Sequence, residues 1–153
     1  MPKLVIPDTS VLIVLEKIAS IHLLRDVYGV VYTTPEVLEE YGQPPPEWLQ
    51  IVAASNPALQ KKFTAKVDLG EASAMALYFD FEDATLVLDD RKARKLAREM
   101  KMKVTGTLGV LSKAKTIGAI SELKPPILKL MQTNFRMSRE IIDELLRTHH
   151  EQW

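Results

Sequence analysis

Two short apolar runs in this chain end in aspartate. KLVI, from Lys3 to Ile6, reads as a short buried strand halted by Pro7 just before Asp8, and TLVL, ending at Leu88, runs directly into Asp89 and Asp90. Each is followed by a helix-forming stretch: VLIVLEKI behind the capping trio Asp8, Thr9 and Ser10, and RKARKLAREM behind Asp90. Strands that are apolar throughout and alternate with helices imply a largely parallel sheet covered on both faces. In such sheets ligands bind beyond the carboxyl ends of the strands, where both aspartate sites lie.

The rest of the chain extends this pattern. GVVYTTP, Gly29 to Pro35, reads as a second strand and turn, with Pro35 in the first turn of a helix that carries Glu36 to Tyr41. After the stiff loop Pro44–Pro46, EWLQIVAAS reads as a helix, and Asn56 before Pro57 starts another short one. Asp68-Leu69-Gly70-Glu71 has the form of a capping box that opens the helix EASAMALYF. A short strand around Lys103 to Thr105 and the helix TLGVLSKAK follow. The tail from Ser121 carries two more helices, the last opening at Ser138. With 153 residues, the expectation is one α/β domain, 1–153, whose C-terminal helical extension spans about 121–153.

Composition removes several function classes. Twenty basic and twenty acidic residues cancel, so nucleic-acid binding must rest on a local patch rather than a general basic coat. The absence of cysteine excludes disulfides, a thiol nucleophile and cysteine-ligated zinc, and fits a cytoplasmic protein. The longest apolar run, Val11 to Leu15, is far short of the ~20 residues that cross a bilayer. Asp8 interrupts the apolar stretch near the start, which argues against a signal peptide.

The acidic positions divide by context. Asp8, Asp89 and Asp90 follow strands, where helix capping is the simplest role for each and metal ligation the sharper one. Glu40 is picked out by helical angle. With Val37, Leu38 and Tyr41 defining the buried direction, Glu40 lies roughly 105° from it and Glu39 roughly 155°. Glu40 therefore borders the core face, where a carboxylate can enter a cleft, and Glu39 faces solvent. Glu71 borders the apolar direction of its own helix, whose alanines allow close approach to the sheet; the capping box alone also accounts for it.

From Arg91 to Lys103 seven basic residues face one acidic residue. Ala93, Leu96, Ala97 and Met100 form the apolar stripe, so Arg91, Lys95 and Arg98 share an outward face that begins beside the aspartates. Phosphate placed next to a metal is an economical reading of that adjacency. Other chemistries fail on spacing. GTLGVLSK lacks the phosphate-loop order, no GxGxxG follows a strand, and there is no serine nucleophile elbow. The three histidines have no zinc spacing. Tyr32, Tyr41 and Trp48 are better placed in packing than in base stacking.

The succession LVIPDTSVL, TPEVLEEY, LGEASAMAL and LVLDDRKAR resembles the PIN-domain family of metal-dependent ribonucleases. The resemblance covers essentially the whole chain. It implies a three-layer, Rossmann-like α/β/α fold with a central parallel sheet and extra C-terminal helices. It also implies an acidic cluster for Mg²⁺ or Mn²⁺ built from Asp8, Glu40, Glu71 and Asp90 or Asp89, with Ser10 as the usual hydroxyl after the first acid. Many relatives have aspartate where Glu71 stands, and some carry a further acid where this chain has Gly106 and Thr107. Thr107 can offer a hydroxyl there but no charge. The implied activity is endonucleolytic hydrolysis of RNA, leaving a 5′-phosphate and a 3′-hydroxyl, by the toxin of a toxin–antitoxin pair. Ser10, Arg91, Lys95, Arg98 and Thr107 are the expected RNA contacts. The expected partners are RNA, a cognate antitoxin protein and a second copy of the chain in a homodimer, with no membrane. The competing readings are a non-catalytic or weakly active RNA-binding or regulatory relative, and a scaffold that oligomerises through its C-terminal helices.

Overall fold

A computed structural model describes residues 3–153. Its centre is a five-stranded parallel sheet in the order β3-β2-β1-β4-β5. The strands are β1 (Lys3–Pro7), β2 (Gly29–Thr33), β3 (Leu49–Ile51), β4 (Ala84–Val87) and β5 (Val104–Thr105). The helices are α1 (Thr9–Lys17), α2 (Leu23–Tyr28), α3 (Pro35–Tyr41), α4 (Pro57–Phe63), α5 (Leu69–Tyr78), α6 (Arg91–Glu99), α7 (Thr107–Thr116), α8 (Lys124–Met131) and α9 (Arg139–Thr148).

Alternation along the strands divides the core in two. Val5, Val31 and Val87 face a layer that includes α1, α2 and α7 to α9. Ile6, Leu86 and Leu88 face the layer of α4, α5 and α6. Because both faces are covered, the central strands are apolar throughout, and the result is the three-layer α/β/α arrangement implied by the sequence. Pro7 does not stop β1: it pairs with Val87, and the Asp8 amide continues the ladder to the Val87 carbonyl at 3.2 Å.

Asp8, Asn56, Asp68, Asp90 and Ser138 each accept a backbone amide at a helix start, as the sequence places them, and Asp68 with Glu71 completes the reciprocal box. Thr34, which the sequence does not single out, caps α3 in the same way. EWLQIVAAS is corrected. Leu49–Ile51 is an edge strand, not a helix, with Val31 opposite Leu49 and Thr33 opposite Ile51. A short apolar run does not distinguish helix from strand by period, and the open edge of β2 decides between them. The short α2 also has no clear periodic signal in the sequence. Among the described residues no helix is long and apolar enough to cross a membrane.

Candidate acidic site and basic groove

Because β1 and β4 are paired, Asp8 and the Asp89-Asp90 pair leave the sheet side by side. Asp8 is only 3% exposed. One oxygen accepts the Val11 amide at 3.3 Å and the Ser10 hydroxyl at 3.2 Å, so the carboxylate caps α1 while lying inside the cleft. Burial pushes its pKa up to about 8; the Val11 amide opposes the shift, and the carboxylates of Glu71 and Asp89 add to it.

Glu71 enters from the start of α5 and is buried. One of its oxygens accepts the Asp68 amide at 3.3 Å, and its own amide donates to Asp68 at 2.8 Å. Burial, then Asp68, raise its pKa to about 7, and Asp90 adds to the rise. Asp89 is raised by burial too, although Thr107 donates both its amide (2.8 Å) and its hydroxyl (2.6 Å) to the two carboxylate oxygens. Asp90 caps α6 through the Ala93 amide at 2.8 Å.

Glu40 lies to one side. Its carboxylate rests over Gly70, where an added Cβ would sit 1.9 Å from Oε1 and would force the carboxylate to move. Burial and Asp68 raise its pKa, while the Thr9 hydroxyl and the Gly70 amide oppose the rise. That hydroxyl makes no hydrogen bond of ordinary geometry and is the one buried side-chain polar atom left without a partner among the described residues. Glu39 and Glu40 are both exposed on α3, so the contrast in burial expected from helical angle is not seen; what distinguishes Glu40 is its contact with Gly70 and Thr9. The structure thus couples Asp8 to Glu71 and Asp89, and Glu71 to Asp90, and sets Glu40 to one side, against Asp68 and Thr9.

A hard divalent cation suits this donor set, which is carboxylate oxygen alone. No ion pair among the described residues includes the buried Asp8 and Glu71, the part-buried Asp89 or the exposed Asp90; the Arg94 guanidinium acts on Asp89 from a distance and lowers its pKa against the effect of burial. As they stand, no three acidic or histidine side chains among the described residues converge enough to hold one ion. Closing the set requires side-chain rotation.

Beyond Asp89 the surface turns basic. A cavity of about 620 Å³ is lined by Asp89, Arg91, Arg94, Arg98, Phe135 and Arg136, among others. Arg94 donates to the Leu88 carbonyl at 2.9 Å. Gly106 makes room for it beside Asp89, since a Cβ there would lie 2.6 Å from the Arg94 guanidinium and 2.8 Å from Asp89 Oδ1. Arg91 and Arg98 line this cavity; Lys95 is exposed on α6 outside the lining. Ser10 lines a second cavity of about 480 Å³ on the other side of Asp89, with Lys17, Asp90, Asn134, Phe135 and Arg136. Thr107 is fully buried, its hydroxyl committed to Asp89.

Sequence reasoning misses Arg94, Phe135 and Arg136. Arg94 follows Arg91 by three positions and precedes Arg98 by four, a spacing that could have identified it. The tail residues carry no local signal. Tyr32 stacks on Phe81 at 5.2 Å, Tyr41 donates to Glu16, and Trp48 lies beneath Arg25, so all three are occupied in packing.

No curated protein matches the chain. A family model described as a PIN domain matches residues 4–151, nearly the full length, and PIN domains are in general nucleases that use divalent metal ions. The strand order, the acids at the paired strand ends and this match agree, and the chain belongs to the PIN-domain family.

Proposed function

We propose that the protein is a metal-dependent endoribonuclease whose metal is held by Asp8, Glu71 and Asp90 or Asp89, with Glu40 closing the set. One observation carries this reading. Asp8 at the end of β1 and Glu71 at the start of α5 are buried with no ion pair, beside the Asp89-Asp90 pair at the end of β4, so a bound cation would let these carboxylates ionise where otherwise they hold protons. A divalent ion bound there supplies Lewis acidity for in-line attack of water on phosphorus and offsets charge on the leaving oxygen. The chain's own residues do the positioning. Ser10 and the Val11 amide hold the Asp8 carboxylate, Thr107 holds Asp89, and Arg91 and Arg98 take the RNA backbone without reading its sequence. The products are a 5′-phosphate and a 3′-hydroxyl.

Within this reading the ion is Mg²⁺ or Mn²⁺ and the RNA is cytoplasmic. The protein is the toxin of a toxin–antitoxin pair and a homodimer. Family membership and the sequence resemblance support these finer assignments. Arrest of growth on expression, relieved by a small protein encoded beside it, is the test of the toxin role. A second reading, a non-catalytic RNA-binding relative, is favoured by one contact: Asp89 already gives both oxygens to Thr107. Labelled RNA incubated with the protein in Mn²⁺ or in EDTA separates the two. Cleavage in Mn²⁺, absent in EDTA and abolished by Asp8→Asn, is expected. Metal-stimulated cleavage that survives Asp8→Asn overturns the site.

A further inference from the structure

The connection from α8 to α9 returns to the acidic site from far along the chain. Thr133 shapes its start, donating to the Leu130 carbonyl at 2.7 Å and accepting the Phe135 amide at 3.1 Å, and Ser138 caps α9 at its end. Between these anchors, Phe135 and Arg136 line both the cavity of about 620 Å³ and that of about 480 Å³, and the two cavities meet at Asp89. Each lies within the roughly 300–1,000 Å³ of ordinary ligand sites. Phe135 is half-buried and packs against the core, which fixes the ring in place; Arg136 is exposed.

From this placement we infer that Phe135 and Arg136 form a nucleotide subsite beside the acidic centre: Phe135 stacks an unpaired base and Arg136 binds the adjoining phosphate. The inference rests on the ribonuclease reading and adds a substrate-positioning element contributed by the tail. The surrounding charges fit it. On one side of Asp89 the cavity wall carries Arg91, Arg94 and Arg98, which suit successive phosphates; on the other Lys17 is the added cation. Arg136 bridges the two, where a strand passing the acids needs a continuous positive track. An aromatic ring in such a track takes a base only when that base is unstacked and unpaired, so the subsite selects single-stranded RNA or a loop over a duplex.

The test measures binding in EDTA, so that the RNA stays intact. The probes are a fluorescein-labelled 12-nucleotide single strand, its duplex, and the same strand carrying 2-aminopurine. Arg136→Ala should lower the slope of log affinity against log salt by ~0.7, and Arg136→Lys should restore it. Phe135→Leu, which keeps an apolar contact with the core, should leave the slope unchanged. It should weaken binding by roughly tenfold and remove the 2-aminopurine quenching expected of wild type. Thermal melts verify that each variant is folded. Wild-type slope and quenching in both variants, no binding of the strand by wild type, or a duplex bound as tightly as the single strand overturns the subsite. Parallel cleavage in Mn²⁺ separates this outcome from the enzymatic reading: cleavage by wild type with unaltered binding by the tail variants rejects the subsite alone, and altered binding without any cleavage rejects the ribonuclease alone.

Discussion

The acidic corner and the basic groove share Asp89, but different physics governs them. On the acidic side Asp8 and Glu71 are buried, and both pKa values are pushed far above the usual carboxylate range. On the basic side Arg91, Arg98 and Arg136 are exposed, where added salt screens their interactions. Protons, and in the proposed reading divalent ions, therefore act on one side and ionic strength on the other. Chemistry and binding can be disturbed separately.

The sharpest way to divide them is Asp8→Asn. Asparagine keeps the cap on α1 and removes the charge, so cleavage should fall by orders of magnitude while single-strand binding in EDTA stays near wild type. Gel assays and fluorescence anisotropy on the same preparation read both sides, and parallel losses would show that the separation is not real.

Metal and pH act next, through stability. A ligand that binds only the folded state stabilises it by about 2.7 kcal/mol at a hundredfold excess over Kd, roughly 5–10 °C in a domain of this size. Wild type should show that gain with Mn²⁺ and Asp8→Asn should not. In EDTA the sign for the acids is fixed by their raised values. In the folded chain Asp8 and Glu71 stay protonated up to about 8 and about 7, whereas unfolded they ionise near 3.8 and 4.5. Their contribution is full at acid pH and is lost as pH rises through that window. Melting temperature without metal should therefore decline from pH 5 to pH 8, less steeply in Asp8→Asn, and the gain from Mn²⁺ should grow over the same range. A flat profile in both proteins would leave the buried acids uncoupled.

Smaller effects belong to the groove. Arg91→Ala and Arg98→Ala should each reduce the salt slope by ~0.7, and Lys95→Ala, off the cavity lining, should change it less. Equal losses at Lys95 would extend the track around α6. Smallest is the contrast within α3: Glu40→Gln should slow cleavage several-fold while Glu39→Gln is silent, and a reversed order would point to the other glutamate.

The acidic corner is largely legible in the sequence because its parts are local. Asp8, Asp68 and Asp90 each cap the helix that follows, and the apolar runs that lead to Asp8 and Asp89 define the strands that carry them. Helical angle singles out Glu40, but both it and Glu39 are exposed, and the angle cannot show that Gly70 lies beneath the carboxylate. The far wall of the groove is not legible in this way. Phe135 and Arg136 reach Asp89 only through the packing of α8 and α9 on the core, a long-range arrangement with no periodic trace around residue 135. The edge strand β3 escapes a local reading for the same reason, since its pairing partner is distant in sequence.

The hydrogen bond from the Asp8 amide to the Val87 carbonyl makes that aspartate the last rung of the central ladder. Its backbone can be displaced only by opening β1 from β4, among the most costly local openings in a domain, whereas the connection that holds Phe135 and Arg136 is anchored at its ends by Thr133 and Ser138. Amide exchange should accordingly be slow at Asp8 and fast around residue 136. The two walls of the cleft then keep different clocks: in the proposed reading RNA would enter and leave on the fast one while the acids hold their positions on the slow one.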